Sequence, residues 1–284
     1  MRQMFKSVAL YYAIACGWAW LVWIPLVLGQ GGLKLIPVHV SLPLFVCIGT
    51  LGPTFGCFIA HRVETGNWKA VRLVPRDRWR WLWLLVGPIL VLVVFFIIFP
   101  TLFSKGNPTG WHWHPAALLG IWVPMFNYNL FGGPLFEEFG WRGFLLARFQ
   151  KEMAPWAAAI CVGVMWATWH LPLFLLAGWS SASFPTFMLI LTGLTILMAY
   201  ALNASGKAVL VAILMHSAFN ASSRFIGPFL GNTPTREHPS PTLLIGFAFL
   251  AAAVIVIAFT RGRLGTTENE GAPESELLKA SVAG

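Results

Sequence analysis

The chain has 284 residues, 57% of them hydrophobic and only 10% charged, whereas a soluble domain carries roughly 25% charged residues. Long apolar runs recur along its whole length, so lipid rather than water surrounds most of it. The formal net charge of +9 does not point to nucleic acid, because the basic residues cluster in short loops between apolar runs, where they set membrane orientation.

In chain order, apolar runs of about 20 residues each predict an all-α polytopic membrane protein with about eight transmembrane helices. The expected limits are 7–28, 40–60, 81–103, 115–148, 154–178, 184–203, 207–227 and 241–260. The first run is longer than a signal-peptide core and no small-residue cleavage site follows it, so it reads as a retained span. The fourth is too long for one straight crossing, and Gly132, Gly133 and Pro134 predict a break inside it. The transmembrane domain is expected over 1–262. The small, acidic and polar composition of 263–284 reads as a disordered tail.

Lysine and arginine counts orient these spans. With the N-terminus in the cytoplasm, only Lys34, Lys105, Arg224 and Arg236 fall outside, and the other fifteen of the nineteen lie on the cytoplasmic side. Both termini are therefore expected in the cytoplasm. The stretch "RLVPRDRWRW" (72–81) mixes basic and aromatic residues and reads as an interfacial anchor on anionic lipid. Cys16, Cys47, Cys57 and Cys161 form no C-x-x-C pair and read as small core residues. His112 and His114, flanked by Trp111 and Trp113, read as part of an aromatic belt. His39, His61 and His238 sit at span ends and read as solvated.

Ionisable residues inside spans are costly and mark function. Three groups stand out: Glu137, Glu138 and Arg142 in span 4; His170 in span 5; His216 and Asn220 in span 7. At 1.5 Å per residue, Glu137, His170 and His216 lie roughly 16, 22 and 14 Å from the cytoplasmic boundary, near the middle of a hydrocarbon core of roughly 30 Å. Three spans thus deliver polar side chains to a similar depth, as one shared site would require. Glu138 and Arg142 are four apart, acid first, and share a helix face. Glu137 is rotated about 100° away, so Arg142 is expected to neutralise Glu138 and leave Glu137 free for acid–base chemistry. Asn220, one turn beyond His216, can orient that imidazole or donate to a developing oxyanion. The alternative reading of all six is a buried polar network that only locks helices together.

In this order, E-E-x-x-x-R (Glu137, Glu138, Arg142), an aromatic-x-x-x-H (Trp166 to His170) and H-x-x-x-N (His216 to Asn220) resemble the CAAX prenyl protease and bacteriocin-processing (CPBP) intramembrane proteases. The eukaryotic type II CAAX prenyl endopeptidase is similar. The resemblance covers about 115–225, and the second motif begins with Trp where the family usually has Phe. It implies an endopeptidase that cleaves peptide bonds inside a membrane cavity open to the cytoplasm. Glu137 and His170 would activate water, His216 and Asn220 would stabilise the oxyanion, and Glu138 and Arg142 would hold the site. The implied substrate is a membrane-associated peptide or protein, with a prenylated CAAX-type partner as one form. A prokaryotic cell membrane is the expected location.

Family members have also been described as metalloproteases. Glu137, His170 and His216 would suffice as a zinc set, yet no H-E-x-x-H is present, and water activation without a cofactor is the favoured mechanism. Two alternatives belong to other classes. A non-catalytic immunity or scaffold protein of the same fold would not need an unpaired Glu137. A proton-coupled transporter would show paired broken helices in two matching halves, and the sequence shows one break.

Overall fold

The structure, a computed structural model, describes residues 2–99, 118–226 and 240–266. His112, His114, His238, Lys105, Arg236 and the stretch 267–284 lie outside the described residues. The described part is helical, and its one β-type contact is an isolated bridge between Arg72 and Ala208. This is an all-α polytopic membrane protein.

The first span is a single helix, α1 (Arg2–Leu28). The second bends at Thr50 into α2 (Leu42–Gly49) and α3 (Leu51–Thr65). α1 packs along α3, and the reason lies in a glycine stripe. A Cβ on Gly52 or Gly56 would sit 2.6 Å from the Ala15 carbonyl oxygen or 2.7 Å from that of Tyr11. Only small residues let two backbones approach this closely in a membrane. At the far end, Glu64 accepts hydrogen bonds from Ser7 Oγ at 3.1 Å and Arg148 Nη2 at 2.6 Å. Arg148 Nη2 also reaches His61 Nδ1 at 3.1 Å, so His61 belongs to a polar clasp rather than standing solvated.

After a 3₁₀ turn (Arg78–Leu82), α4 (Trp83–Val93) runs into a π-helical stretch (Val94–Ile98). The fourth span is fragmented, with the break where Gly132, Gly133 and Pro134 predict it. A π turn (Leu118–Trp122) leads into α5 (Val123–Phe131), which ends before Gly132. Pro134 then opens α6 (Pro134–Glu138), at the one helical position where a missing N–H costs nothing. An eight-residue π-helical stretch (Phe139–Leu146) and α7 (Ala147–Glu152) complete it.

The fifth span is shorter than expected. α8 (Pro155–Trp169) gives way at His170 to a 3₁₀ turn (Leu171–Leu175), because Pro172 offers no backbone donor and disfavours α geometry in the residue before it. The last three helices are α9 (Phe184–Ala204), α10 (Val209–Ile226) and α11 (Pro241–Phe259). α9 is the central element, packed against both α8 and α11. A Cβ on Gly163 would meet Thr192 Cα at 2.6 Å, and one on Gly193 would meet the Phe249 backbone at 2.9 Å. Beyond α11 the chain turns back onto the bundle: Leu264 is buried, and Asn203 Nδ2 donates to its carbonyl at 2.9 Å.

Among the described residues, five helical segments are long and apolar enough to cross a membrane: 4–28, 42–65, 78–98, 184–204 and 241–259. The other three expected spans are the ones that carry the polar groups. Of these, the fourth is broken into short pieces and the fifth is cut short at Trp169.

Candidate active site

Each carboxylate has a different environment. Glu138 and Arg142 are fully buried, and Arg142 Nη1 donates to Glu138 Oε1 at 3.0 Å. His216 Nδ1 meets the same oxygen at 2.8 Å. A carboxylate oxygen accepts, so this contact puts a proton on Nδ1. Glu138 therefore orients the imidazole, the task the spacing offered to Asn220. Arg142 Nη2 donates to Thr195 Oγ1 on α9 at 2.9 Å. The pair thus ties the π-helical stretch to α9 and α10.

Glu137, on the adjacent face, is also buried but does not stand alone. Its Oε2 accepts the indole N–H of Trp166 at 2.8 Å. Its other oxygen lies over Gly133, where a Cβ would approach Oε1 to 2.8 Å. The glycine in the broken span therefore makes room for the carboxylate.

Trp166 is fully enclosed on α8 and touches most of the group. Its ring lies 4.0 Å from the Arg142 guanidinium carbon, in a cation–π contact. The His216 ring stands edge-on to it at 4.9 Å between centroids. Its carbonyl oxygen lies 2.8 Å from His170 Nδ1, which gives Nδ1 the proton and leaves Nε2 as an acceptor. His170 caps the end of α8 and is walled by Trp169 at 4.6 Å, Phe187 at 5.1 Å and Trp179 at 5.7 Å. Asn220 is half-buried one turn beyond His216, and its amide makes no hydrogen bond among the described residues.

Spacing alone finds the six polar residues but not Trp166 as a donor, nor Thr195 and Gly133. The Trp166 signal was present, since an indole N–H buried beside carboxylates must find an acceptor. Thr195 gives almost none, because a threonine in an apolar helix is commonplace. Among the described residues, no three His, Cys, Asp or Glu side chains are grouped so as to hold a metal ion.

Two cavities approach this group from opposite ends of α10. One, of about 360 Å³, is lined by Arg142, Gln150, Arg72, Arg76, Arg80 and Lys207, at the start of the helix. The other, of about 640 Å³, is lined by Asn129, Gly132, Trp179 and Arg224, at its end. The larger one adjoins Gly133 and the wall of His170. It lies at the end that the charge count places outside, whereas the resemblance implies a cytoplasmic opening.

Residues 119–222 match the family model described as type II CAAX prenyl endopeptidase Rce1-like. Over 133 residues the chain is 25% identical to a protein of Methanococcus maripaludis named CAAX prenyl protease 2. That alignment covers 43% of this chain and 45% of the relative, so the chain spans less than half of the curated relative it matches. All six polar site residues fall inside the matched stretch, and the matches bear out the resemblance to the CPBP family.

Proposed function

We propose that this chain, with its Rce1-like stretch over 119–222, is an intramembrane endopeptidase acting on a membrane-anchored peptide or protein, of which a prenylated CAAX-type tail is the specific case. The observation that carries the reading is Trp166. One enclosed residue contacts Glu137, Arg142 and His216 through its side chain and His170 through its carbonyl, so residues from three separate spans share one neighbourhood.

In the proposed reaction Glu137 and the free Nε2 of His170 hold a water molecule and accept its proton. The water oxygen bonds to the scissile carbonyl carbon. His216 and Asn220 stabilise the resulting oxyanion. His216 can donate from Nε2 only with that nitrogen protonated, since Nδ1 is already engaged by Glu138. Collapse of the tetrahedral intermediate breaks the C–N bond, and the proton held by Glu137 passes to the departing amine. Glu138 and Arg142 orient these groups without touching substrate.

Glu137→Gln keeps the shape of the side chain and removes the base. We expect purified Glu137→Gln protein to lose cleavage of a prenylated reporter peptide by a factor of about 10² or more, with its melting temperature near that of the parent. Membrane peptidomes with and without the substitution should identify the natural substrate. Full activity in the variant would remove Glu137 from the mechanism. Water activation by these side chains alone also predicts that active protein carries no stoichiometric zinc and keeps its rate in chelator. One zinc per chain, lost and restored together with activity, would reverse that preference.

A further inference from the structure

The smaller cavity is strongly basic. Besides Arg142, four cations line it: Arg72, Arg76, Arg80 and Lys207. Of these, only Arg80 has a carboxylate partner among the described residues, Asp77 at 3.4 Å, in a pair that is 40% and 57% exposed. The cavity also reaches two buried donors. Arg142 is fully enclosed with its Nε unpartnered, and Gln150 is 5% exposed with its Nε2 unpartnered. Buried N–H groups without acceptors are costly, and both lie in the wall of the cavity.

The walls are fixed rather than draped. The Arg72 and Leu73 carbonyls accept the N–H groups of Val209 and Leu210 at 2.9 and 3.0 Å, which pins the loop to the start of α10. Arg80 lies across Gly206, whose left-handed backbone and missing Cβ leave room for the guanidinium. On either side of Arg80 in the chain, Trp79 is 74% and Trp81 49% exposed. They stand at the head of the apolar segment 78–98, which is headgroup depth for interfacial tryptophans.

We propose that this cavity binds a phosphate group, presented by the headgroup of an anionic phospholipid. Guanidinium forks suit phosphate oxygens, and the exposed tryptophans next to Arg80 belong at the depth where lipid phosphates lie. The proposal does not rest on the proteolytic reading, although Arg142 belongs to both sites, and the ligand is other than the scissile peptide.

The test uses the full chain, purified in neutral detergent without phosphate. Melting is followed while phosphatidylglycerol, phosphatidylcholine or inorganic phosphate is titrated at constant ionic strength. Phosphatidylglycerol at tenfold excess over its Kd should raise the melting temperature by about 2–3 °C, and phosphatidylcholine should not. Arg72→Gln/Arg76→Gln should abolish the shift, while the charge-matched Arg62→Gln/Arg78→Gln pair, outside the cavity, should retain it. A shift produced by inorganic phosphate and not by the lipid would keep the site and assign it to free phosphate. No shift with either ligand, an equal shift in the cavity variant, or competition only by a peptide with a free C-terminal carboxylate would overturn the proposal. Should the double variant not fold, Lys207→Gln alone should weaken apparent affinity at least threefold, and unchanged affinity would overturn it.

Discussion

At the scale of single residues, Trp166 carries two functions that separate on substitution. Phenylalanine keeps the bulk and the aromatic face toward Arg142 and His216 but cannot donate to Glu137 Oε2. A hydrogen bond to a charged group contributes roughly 1.5–3 kcal/mol. Part of that is recovered if a water molecule replaces the indole. Trp166→Phe should therefore lower kcat by about tenfold with KM nearly unchanged and only a modest fall in melting temperature. Trp166→Ala should unfold the site outright, because it removes the ring that covers Arg142. If Trp166→Phe and the parent protein share kcat, the indole N–H has no part in positioning Glu137.

At the scale of helices, close approach is written in glycine. Gly163 faces the backbone of Thr192, so a methyl group there cannot be accommodated by turning a side chain. Gly163→Ala must push α8 from α9, and both helices carry site residues. Overpacking of this kind costs roughly 1–3 kcal/mol. A fall of several degrees in melting temperature should accompany a loss of activity larger than that of a surface control. An unchanged melting temperature would mean that the two helices are not held this tightly. Much of this level was legible beforehand. Apolar runs marked the helices, Gly132, Gly133 and Pro134 marked the break, and the i, i+4 spacing marked Glu138 with Arg142. What stayed hidden was the partner across space. The contact of Glu138 with His216 spans 78 positions, and no periodicity encodes it. Pro172 did signal the early end of α8, but the apolar run carried on past it, and run length alone made the span too long.

At the scale of the whole molecule, α10 is a ruler. Lys207 precedes it, and Arg224 lies in its last turn beside Tyr128. The 15 residues from Val209 to Ser223 separate the two ends by roughly 22 Å. The basic cavity and the larger cavity should therefore open on opposite faces of the membrane. In a background lacking the four cysteines, Lys207→Cys and Phe131→Cys should react with an impermeant thiol reagent from opposite sides. From the charge bias, Lys207→Cys is expected to react from the cytoplasmic side. Labelling of both positions from one side would refute the opposition of the cavities, and labelling of Lys207→Cys in intact cells would invert the orientation. The wide separation of the contacting residues along the chain has a further consequence, for synthesis. Glu137 emerges from the ribosome long before His216, and Glu138 finds its imidazole partner only once α10 has entered the bilayer. A half-made chain then carries the carboxylates without their imidazole partner, so the proposed activity can begin only after α10 is in place.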